Sequence, residues 1–189
     1  MQMRIIGGKL KRKNISFLKV STTRPLKDSV KENIFNVLAH SNLLNISLNK
    51  SFVLDLYSGI GSFGIECLSR EAEHVTFVEK DEKVAETLKK NLLDLELIEK
   101  TLVIIDGIDN FLKNVQSKKF NIIFLDPPFA DKNFIDLLKI IKKKKIYKNN
   151  HLIIIHRDKK SKESFDHILK THIIKQYGRS KIIFASFLS

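Results

Sequence analysis

The sequence predicts an α/β fold built on a seven-stranded, mostly parallel sheet. Five short apolar segments alternate with amphipathic ones, as is typical of strands that are followed by covering helices. The last stretch contains two more strand-like segments joined at Gly178, which predicts an antiparallel hairpin at one edge of the sheet. With 189 residues, 43% of them hydrophobic, the chain is long enough to form a core as a single domain.

The predicted elements follow in order from the N-terminus. Loose alternation over residues 3–20, with a Gly-Gly turn signal, predicts a small β element. Thr22 or Thr23 as a cap and Pro25 in the first turn predict the start of a helix with an apolar stripe. The next strands are SFVLDL, HVTFVE, TLVIID, NIIFLD and HLIIIH, and the helices between them cover residues 62–70, 83–95, 108–115 and 134–141.

The net charge of the chain indicates a polyanionic partner. The formal charge is +13 and the isoelectric point is about 9.7. Lysine and arginine side chains that neutralise phosphates release counterions, so nucleic acid is the first candidate. A lysine-rich chain can also use its charge for solubility alone, and charge does not decide between these two explanations.

The apolar segments and the cysteine content indicate a cytoplasmic protein. The longest apolar runs are far shorter than the ~20 residues needed to cross a bilayer. The N-terminus has no apolar segment of the secretory type, and Cys67 is the only cysteine, so it cannot form an internal disulfide. We expect Cys67 in the core, no membrane association, no metal site and, without an obvious apolar interface, a monomer.

A glycine-rich segment, DLYSGIGSFGIE, follows the first of the five core strands. Gly59, Gly61 and Gly64 match the pattern GxGxxG, and Glu79 ends the next strand at the expected distance. A nicotinamide-dependent enzyme is therefore one possibility. Asp55 favours a different cofactor, because a carboxylate at this strand end would repel a pyrophosphate on the helix N-terminus. The same carboxylate would attract the sulfonium or ammonium group of S-adenosylmethionine.

Acidic residues stand at the ends of three successive strands. For Asp55, a helix-loop cap or a salt bridge is the alternative to a cofactor contact. Glu79 can accept hydrogen bonds from the ribose hydroxyls of either cofactor, so it does not discriminate between them. Asp106 can accept from an adenine amino group or cap the nearby helix, and both roles stay open. The predicted cofactor site also includes their neighbours Tyr57, Lys80 and Gly107.

The segment NIIFLDPPF ends the fourth strand with a carboxylate, two prolines and an aromatic ring. The exocyclic amino group of a base is a poor nucleophile, because its lone pair is delocalised into the ring. Asp126 and the carbonyl of Pro127 can each accept one N–H of this group and so direct its lone pair. Pro127 and Pro128 stiffen the backbone, and Phe129 offers a flat face for a base. Asp126 can also accept the proton. A turn that merely ends a buried strand is the alternative.

With these motifs the sequence resembles the Rossmann-like, S-adenosylmethionine-dependent amino methyltransferases that carry (N/D)PP(F/Y/W). It is more narrowly similar to the bacterial RsmD-type family, which methylates guanine N2 in small-subunit (16S) ribosomal RNA. The resemblance implies a class I methyltransferase fold with sheet order 3-2-1-4-5-7-6 and an antiparallel strand 7. It rests on MRIIGGKLKRK, TRPLKDSVKENIFNVL, VLDLYSGIGSFGIECLSR, FVEKDEKVAETLKKNL, DPPF and a late YG.

The resemblance also implies how the domain meets its substrate, presented by the nascent or assembled small subunit. Residues 1–22 would form a β element that contacts RNA, and residues 23–189 the catalytic core. Because the RP segment of the family lies over the pocket, Arg24 is a candidate for cofactor or RNA contact; a surface arginine is the alternative. The run Lys142–Lys145 either contacts RNA or ends a solvated helix. A phosphate grip is expected from Lys9, Lys11, Arg12 and Lys13.

Other functions stay open on the sequence alone. The same acceptor clamp could serve methylation of adenine N6 in DNA or RNA, or of a glutamine amide in a protein. A basic RNA-binding assembly factor without catalysis is another candidate, although the intact motifs at 59–64 and 126–129 argue against it. His156 ends the fifth strand, and we expect a plain surface or structural role for it.

Overall fold

The computed structural model describes residues 3–17, 26–116, 119–131 and 133–188. No helix within these ranges combines the length and the apolar composition needed to span a bilayer. The elements are β1 (Met3–Arg4), β2 (Asn14–Ile15), α1 (Asp28–His40), β3 (Phe52–Leu56), α2 (Ser62–Ser69), β4 (His74–Glu79), α3 (Glu82–Asp94), β5 (Thr101–Ile105), α4 (Ile108–Asn114), β6 (Phe120–Leu125), α5 (Phe134–Lys144), β7 (Tyr147–Asp158), β8 (Leu169–Tyr177) and β9 (Ser180–Phe187).

Seven of the strands form one sheet in the order β5-β4-β3-β6-β7-β9-β8. Strands β3 to β7 pair in parallel, and β9 runs antiparallel to both of its neighbours. Counted from β3, this order is 3-2-1-4-5-7-6. The turn between β8 and β9 contains Gly178 with a φ of 56°. The predicted fold class, the sheet order and the edge hairpin are confirmed.

The central strands are buried on both faces, which explains their continuous apolar sequences. Successive residues of a strand point to opposite faces, so Val53 and Ile122 lie in one core layer while Leu54 and Ile123 lie in the other. Helices α1, α2 and α3 cover the first face, and α4 and α5 cover the second. Cys67 is buried in the first layer, as predicted.

Helix α1 begins later than the sequence indicated. Its first residue is Asp28, and Lys27 occupies the cap position without a side-chain hydrogen bond. The proposed cap residues Thr22 and Thr23, and Pro25, lie outside the described residues. The start is held instead by the acidic side chain in the first turn, which favours a helix N-terminus electrostatically.

The small β1–β2 hairpin is fixed to helix α2 by buried polar contacts. Glu66 accepts a hydrogen bond from the backbone N–H of Ile6 at 2.9 Å, and it lies 3.8 Å from the buried ammonium of Lys31. That ammonium donates to the carbonyl of Arg4 at 2.7 Å. Burial lowers the pKa of Lys31, and the charge of Glu66 opposes this effect. Further contacts join Ser69 to Gly7 (2.6 Å), Lys9 (2.7 Å) and Leu10 (2.9 Å).

Candidate active site

The acidic residues singled out in the sequence converge at one edge of the parallel sheet. Asp55 lies near the end of β3, Glu79 ends β4, and Asp106 and Asp126 directly follow β5 and β6. These four strands are adjacent in the order β5-β4-β3-β6. Their carboxyl ends therefore place four carboxylates along the edge where open α/β sheets bind ligands.

The glycine loop, residues 57–61, leaves β3 and leads into helix α2. Gly59 and Gly61 have φ values of 55° and 85°, in the left-handed region that favours glycine. A Cβ on Gly61 would lie 2.4 Å from the side chain of Leu88, whereas a Cβ on Gly59 would meet nothing within 4 Å. A Cβ on Gly64 would lie 2.3 Å from the ring of Phe77 in β4. Gly61 and Gly64 thus serve packing, while Gly59 borders open space.

Asp55 is buried beneath this loop. Its Oδ2 accepts a hydrogen bond from the backbone N–H of Gly64 at 3.0 Å. Burial raises the pKa of the Asp55 carboxyl well above its usual range; the Gly64 bond opposes the rise, and the charges of Asp126 and Glu79 add to it. Asp55 therefore acts as a loop cap, and its charged form also gains from any cation bound at this edge.

Glu79 is held by two backbone N–H groups. Its Oε2 accepts from Gly59 and its Oε1 from Asp81, both at 2.9 Å. Each carboxylate oxygen keeps a further lone pair, so this fixed side chain can accept more hydrogen bonds from neighbouring hydroxyls. Lys80, the next residue, is exposed.

Asp106 lies directly before helix α4, whose cap position is Gly107. Its Oδ1 accepts from the backbone N–H of Gly107 at 2.7 Å, and its Oδ2 accepts from the side-chain amide of Asn110. The cap position has no side-chain hydrogen bond, so the N-cap role considered for Asp106 is wrong; its side chain instead fixes the turn that leads into the helix. Asp106 is half-buried, and a Cβ on Gly107 would meet nothing within 4 Å, so this strand end also borders open space.

The residues at these three strand ends fit S-adenosylmethionine. Carboxylates attract its cationic groups and accept hydrogen bonds from its hydroxyls, whereas they would repel a pyrophosphate. The open space beside Gly59 leaves room for a ligand against the loop backbone. When bound, S-adenosylmethionine supplies a methyl group activated by a positively charged sulfur.

Asp126 contacts a histidine of the neighbouring strand. Its Oδ1 lies 2.8 Å from Nδ1 of His156 in β7, and Nε2 of His156 lies 2.9 Å from Oγ of Ser180 in β9. His156 is only 8% exposed. The surface position considered for His156 is therefore wrong: the side chain lies behind the carboxylate of the DPPF motif.

Phe129 stays accessible beside this pair. Its side chain is 39% exposed, and its ring meets the imidazole of His156 edge-on, with centroids 5.6 Å apart at 79°. Pro127 is buried while Pro128 is exposed. The structure thus brings an accessible aromatic ring next to Asp126, as a stacking surface for a base requires.

A buried arginine that the sequence analysis did not single out holds the backbone after Asp126. Arg157, 1% exposed, lies over the ring of Phe134 with its guanidinium carbon 4.5 Å from the ring centre. Arg157 donates its longest hydrogen bond to the carbonyl of Pro127, the predicted second acceptor, and this carbonyl oxygen keeps a second lone pair. The acceptors are Pro127 O (3.4 Å), Pro128 O (3.0 Å), Phe129 O (3.0 Å), Asp131 O (3.2 Å) and Glu163 Oε1 (2.6 Å).

Tyr57 links the glycine loop to the loop after the DPPF motif. Its φ of 61° is uncommon for a residue other than glycine. Its hydroxyl donates to Oδ2 of Asp131 at 3.1 Å. Burial and the charge of Asp131 raise the pKa of Tyr57, so the hydroxyl stays protonated and remains a donor. This predicted cofactor residue therefore connects the two halves of the site.

The basic residues proposed to grip RNA do not lie at the acidic edge. The β1–β2 turn packs on Ser69, at the opposite end of the eight-residue helix α2 from the glycine loop; at ~1.5 Å per residue the two ends are about 12 Å apart. Lys9 pairs with Glu71 at 2.8 Å. The run Lys142–Lys145 lies at the C-terminal end of α5, directly before the start of β7. It is therefore at the amino ends of the parallel strands, opposite the acidic edge. Arg24 lies outside the described residues. All four basic residues of the turn, Lys9, Lys11, Arg12 and Lys13, are exposed.

A cavity of about 640 Å³ lies at the opposite edge of the sheet and contains none of the predicted site residues. Its walls include Tyr147, His151, Lys170 and His172. The carboxylates and the DPPF motif lie instead at the open acidic edge, which is therefore the candidate active site. In the ranges that the structure describes, no group of three or more His, Cys, Asp or Glu side chains is arranged to hold a metal ion.

Known proteins resemble this chain in sequence and in fold. The family model described as Conserved hypothetical protein 95 matches residues 3–186. A Haemophilus influenzae protein named Ribosomal RNA small subunit methyltransferase D is 36% identical over 160 residues, 84% of this chain and 80% of that protein. A protein of the same name from Buchnera aphidicola subsp. Acyrthosiphon pisum is 32% identical over 156 residues, 82% of this chain and 78% of that protein. The solved structure of Escherichia coli yhhF has a TM-score of 0.84 at 26% identity and covers 99% of this chain and 98% of its own.

Proposed function

The chain belongs to the family described as Conserved hypothetical protein 95, as its motifs indicated, and from this premise we propose that it is a ribosomal RNA methyltransferase. The reaction transfers a methyl group from S-adenosylmethionine to the exocyclic amino nitrogen, N2, of a specific guanine in small-subunit (16S) ribosomal RNA. The observation that carries this proposal is the position of Asp126 and the accessible ring of Phe129, beside the acidic strand ends that fit the cofactor.

In this proposal Asp126 and Pro127 act on the target amino group. Oδ1 of Asp126 is engaged by His156, and Oδ2 has no hydrogen-bond partner among the residues that the structure describes. Oδ2 and the carbonyl of Pro127 each accept one N–H of the guanine amino group. As the nitrogen gains its methyl group, one N–H proton moves to Asp126 and the electron pair of that bond stays on nitrogen. Phe129 stacks on the base.

The cofactor site in this proposal consists of the acidic strand ends and the loops that follow them. Asp55 favours the cationic part of the cofactor, Glu79 accepts from the ribose hydroxyls, and Asp106 faces the adenine. Gly61 and Gly64 shape the loop and belong to the proposed cofactor site. The remaining proposed contacts are Tyr57, Gly59, Lys80, Gly107 and Arg24.

Glutamine in place of Glu79 should weaken the binding of S-adenosylmethionine. The amide keeps one acceptor oxygen and loses the charge, and hydrogen bonds to charged groups contribute about 1.5–3 kcal/mol, so we expect a dissociation constant raised roughly 10- to 100-fold. Isothermal titration calorimetry measures the change. The matched control is Glu82→Gln at the exposed start of α3, which should bind normally. Unchanged affinity in a folded Glu79→Gln protein would count against the ribose contact.

The substrate is tested by methylating small ribosomal subunits and their naked RNA with a labelled methyl donor. We propose that the protein acts on the assembled 30S particle. We also propose that it is a monomer, that it is cytoplasmic and that it uses no metal. Guanine N2 is hidden in a duplex, so the target base must be splayed or flipped out, at a cost of a few kcal/mol. Digestion to nucleosides should give N2-methylguanosine. N6-methyladenosine or a labelled protein glutamine would indicate the other amino methyltransferases, and binding without methylation would indicate an assembly factor.

The basic turn of residues 9–13 is the proposed RNA contact of the N-terminal β element within a single catalytic domain. Reversing the charge of Lys11 and Lys13 to glutamate should weaken RNA binding and lower its salt dependence, by about one unit of logarithmic slope per lost phosphate contact. Cofactor affinity should not change, because helix α2 separates the turn from the glycine loop. Filter binding of RNA at several salt concentrations measures the RNA affinity and its salt dependence. The same charge change at Lys83 and Lys89 on α3 is the control, and an equal loss there would mean that only net charge matters.

A further inference from the structure

His156 and Ser180 form a hydrogen-bonded chain behind the carboxylate of the DPPF motif. We propose that His156 is a positioning residue for Asp126, in the tautomer that donates from Nδ1, and that the hydroxyl of Ser180 donates to its other ring nitrogen. The inference rests on the proposed methyl transfer for its catalytic consequence. The tautomer of His156 is a property of the protein itself and does not depend on the proposed function.

The chain crosses three neighbouring elements of the sheet. Asp126 follows β6, His156 lies in β7 and Ser180 begins β9, and these strands are adjacent in the sheet order. The two contacts measure 2.8 Å from Asp126 to Nδ1 and 2.9 Å from Nε2 to Ser180. The side chain of His156 is 10% exposed and that of Asp126 is 22% exposed, so water competes weakly for these bonds.

For a neutral imidazole, the chemistry of the contacts selects one arrangement of protons. An ionised carboxylate only accepts hydrogen bonds, so Nδ1 of His156 must carry a proton and donate to Asp126. In a neutral imidazole Nε2 is then an acceptor, and the hydroxyl of Ser180 donates to it. The opposite tautomer would direct a lone pair at the carboxylate and lose its bond. All the donors therefore point toward Asp126.

This arrangement assigns different roles to the two oxygens of Asp126. Oδ1 is held by His156, which hinders rotation of the carboxylate, and Oδ2 is left for the substrate amino group and for the proton that this group loses. His156 also contacts the ring of Phe129 edge-on, so one side chain supports both the acceptor and the proposed stacking face. Loss of His156 would leave a carboxylate that samples unproductive orientations.

Two variants of His156 separate positioning from general support of the fold. His156→Leu should lower kcat by roughly 10- to 100-fold, the range for losing a hydrogen bond to a charged group, with little change in KM for cofactor or RNA. His156→Asn places an amide donor close to the position of Nδ1 and should recover kcat to within about fivefold of wild type. The proposal is overturned if asparagine is no better than leucine, or if the loss appears in KM.

A second histidine–serine pair supplies the matched control. Nε2 of His172 lies 2.9 Å from Oγ of Ser186, in the same β8–β9 hairpin but at the cavity on the opposite edge of the sheet. His172→Leu should leave kcat unchanged. An equal loss in this variant would mean that any disturbed hairpin slows the reaction, and it would overturn the specific role of His156.

The tautomer is read directly from ¹⁵N NMR of the histidine-labelled protein without substrate. We expect the Nδ1–H form at His156 in the wild-type protein and in Ser180→Ala, because Asp126 still accepts from Nδ1, and a shift toward the Nε2–H form in Asp126→Ala, where Ser180 is the partner that remains. An Nε2–H tautomer in the wild-type protein would overturn the proposal. Because this measurement requires no turnover, it still decides the arrangement if no RNA is methylated and the proposed function fails.

Discussion

Replacing Arg157 by lysine should lower the rate of methyl transfer about a hundredfold while S-adenosylmethionine still binds, because a displacement of ~1 Å in a positioning loop can cost that much. The guanidinium reaches four backbone carbonyls between Pro127 and Asp131 and the carboxylate of Glu163. A lysine ammonium is a single point with three donors and cannot reproduce this planar fork. The loop that carries Pro127 and Phe129 would lose its fixed position.

Arg157 also stabilises the fold, and this contribution is measured separately. Burial raises the pKa of Glu163, but the hydrogen bonds from Arg157, from the Glu163 backbone and from Ser161, together with the charge of Arg157, lower it by more, so the pKa lies below its usual value and the pair is ionised. Breaking a buried ion pair from one side costs about 3–5 kcal/mol, and we expect Arg157→Leu to approach that loss in urea unfolding. Arg179→Lys, which is exposed and lies 3.7 Å from Asp158, is the control. Full activity in a folded Arg157→Lys protein would contradict the positioning role.

The acidic edge could be predicted because its signals are local in the sequence. An apolar run followed by an acidic residue identifies both a buried strand and the chemistry at its end, and the alternation with helices makes the sheet parallel, so these ends meet. The same reasoning missed the first part of β7. That strand begins at Tyr147, well before the predicted start at His151, because Asn149 and Asn150 are polar and exposed.

The support behind Asp126 could not be predicted, because it depends on contacts across the sheet. His156 and Arg157 are consecutive residues at the end of a buried strand, so they point to opposite faces, one to Asp126 and the other to the loop that follows it. The available signal was two polar residues directly after the apolar run LIII, in a strand next to β6. Which atoms they contact follows from the register of β6 and β7, and this register is a property of the folded sheet.

The position of the basic turn likewise depends on tertiary packing. The sequence indicates a glycine-rich turn with four basic residues, but not the end of helix α2 on which it docks. Ser69 decides this, through contacts with Gly7, Lys9 and Leu10. RNA bound at the turn must therefore extend along the protein to bring a base to Asp126.

Replacing Asp126 by alanine should reduce methyl transfer by at least about a thousandfold, with S-adenosylmethionine bound nearly as tightly as before. The substitution removes both an acceptor for the amino group and the base for its proton, and general base catalysis alone contributes roughly 10²–10⁴-fold. Single-turnover rates with the methylated nucleoside as readout, together with calorimetry for the cofactor, separate the two effects. Asp136→Ala, on the exposed face of α5, is the control and should behave as wild type.

Asparagine at position 126 separates the acceptor from the base. If its amide turns its nitrogen toward His156, the imidazole must switch to the Nε2–H tautomer and donate to Ser180, and the amide oxygen then accepts from the target amino group. We therefore expect Asp126→Asn to retain more activity than Asp126→Ala, with a loss of about 100- to 1,000-fold that reflects the missing base. Equal losses in the two variants would mean that proton acceptance is indispensable. Wild-type turnover in Asp126→Ala would remove Asp126 from the mechanism.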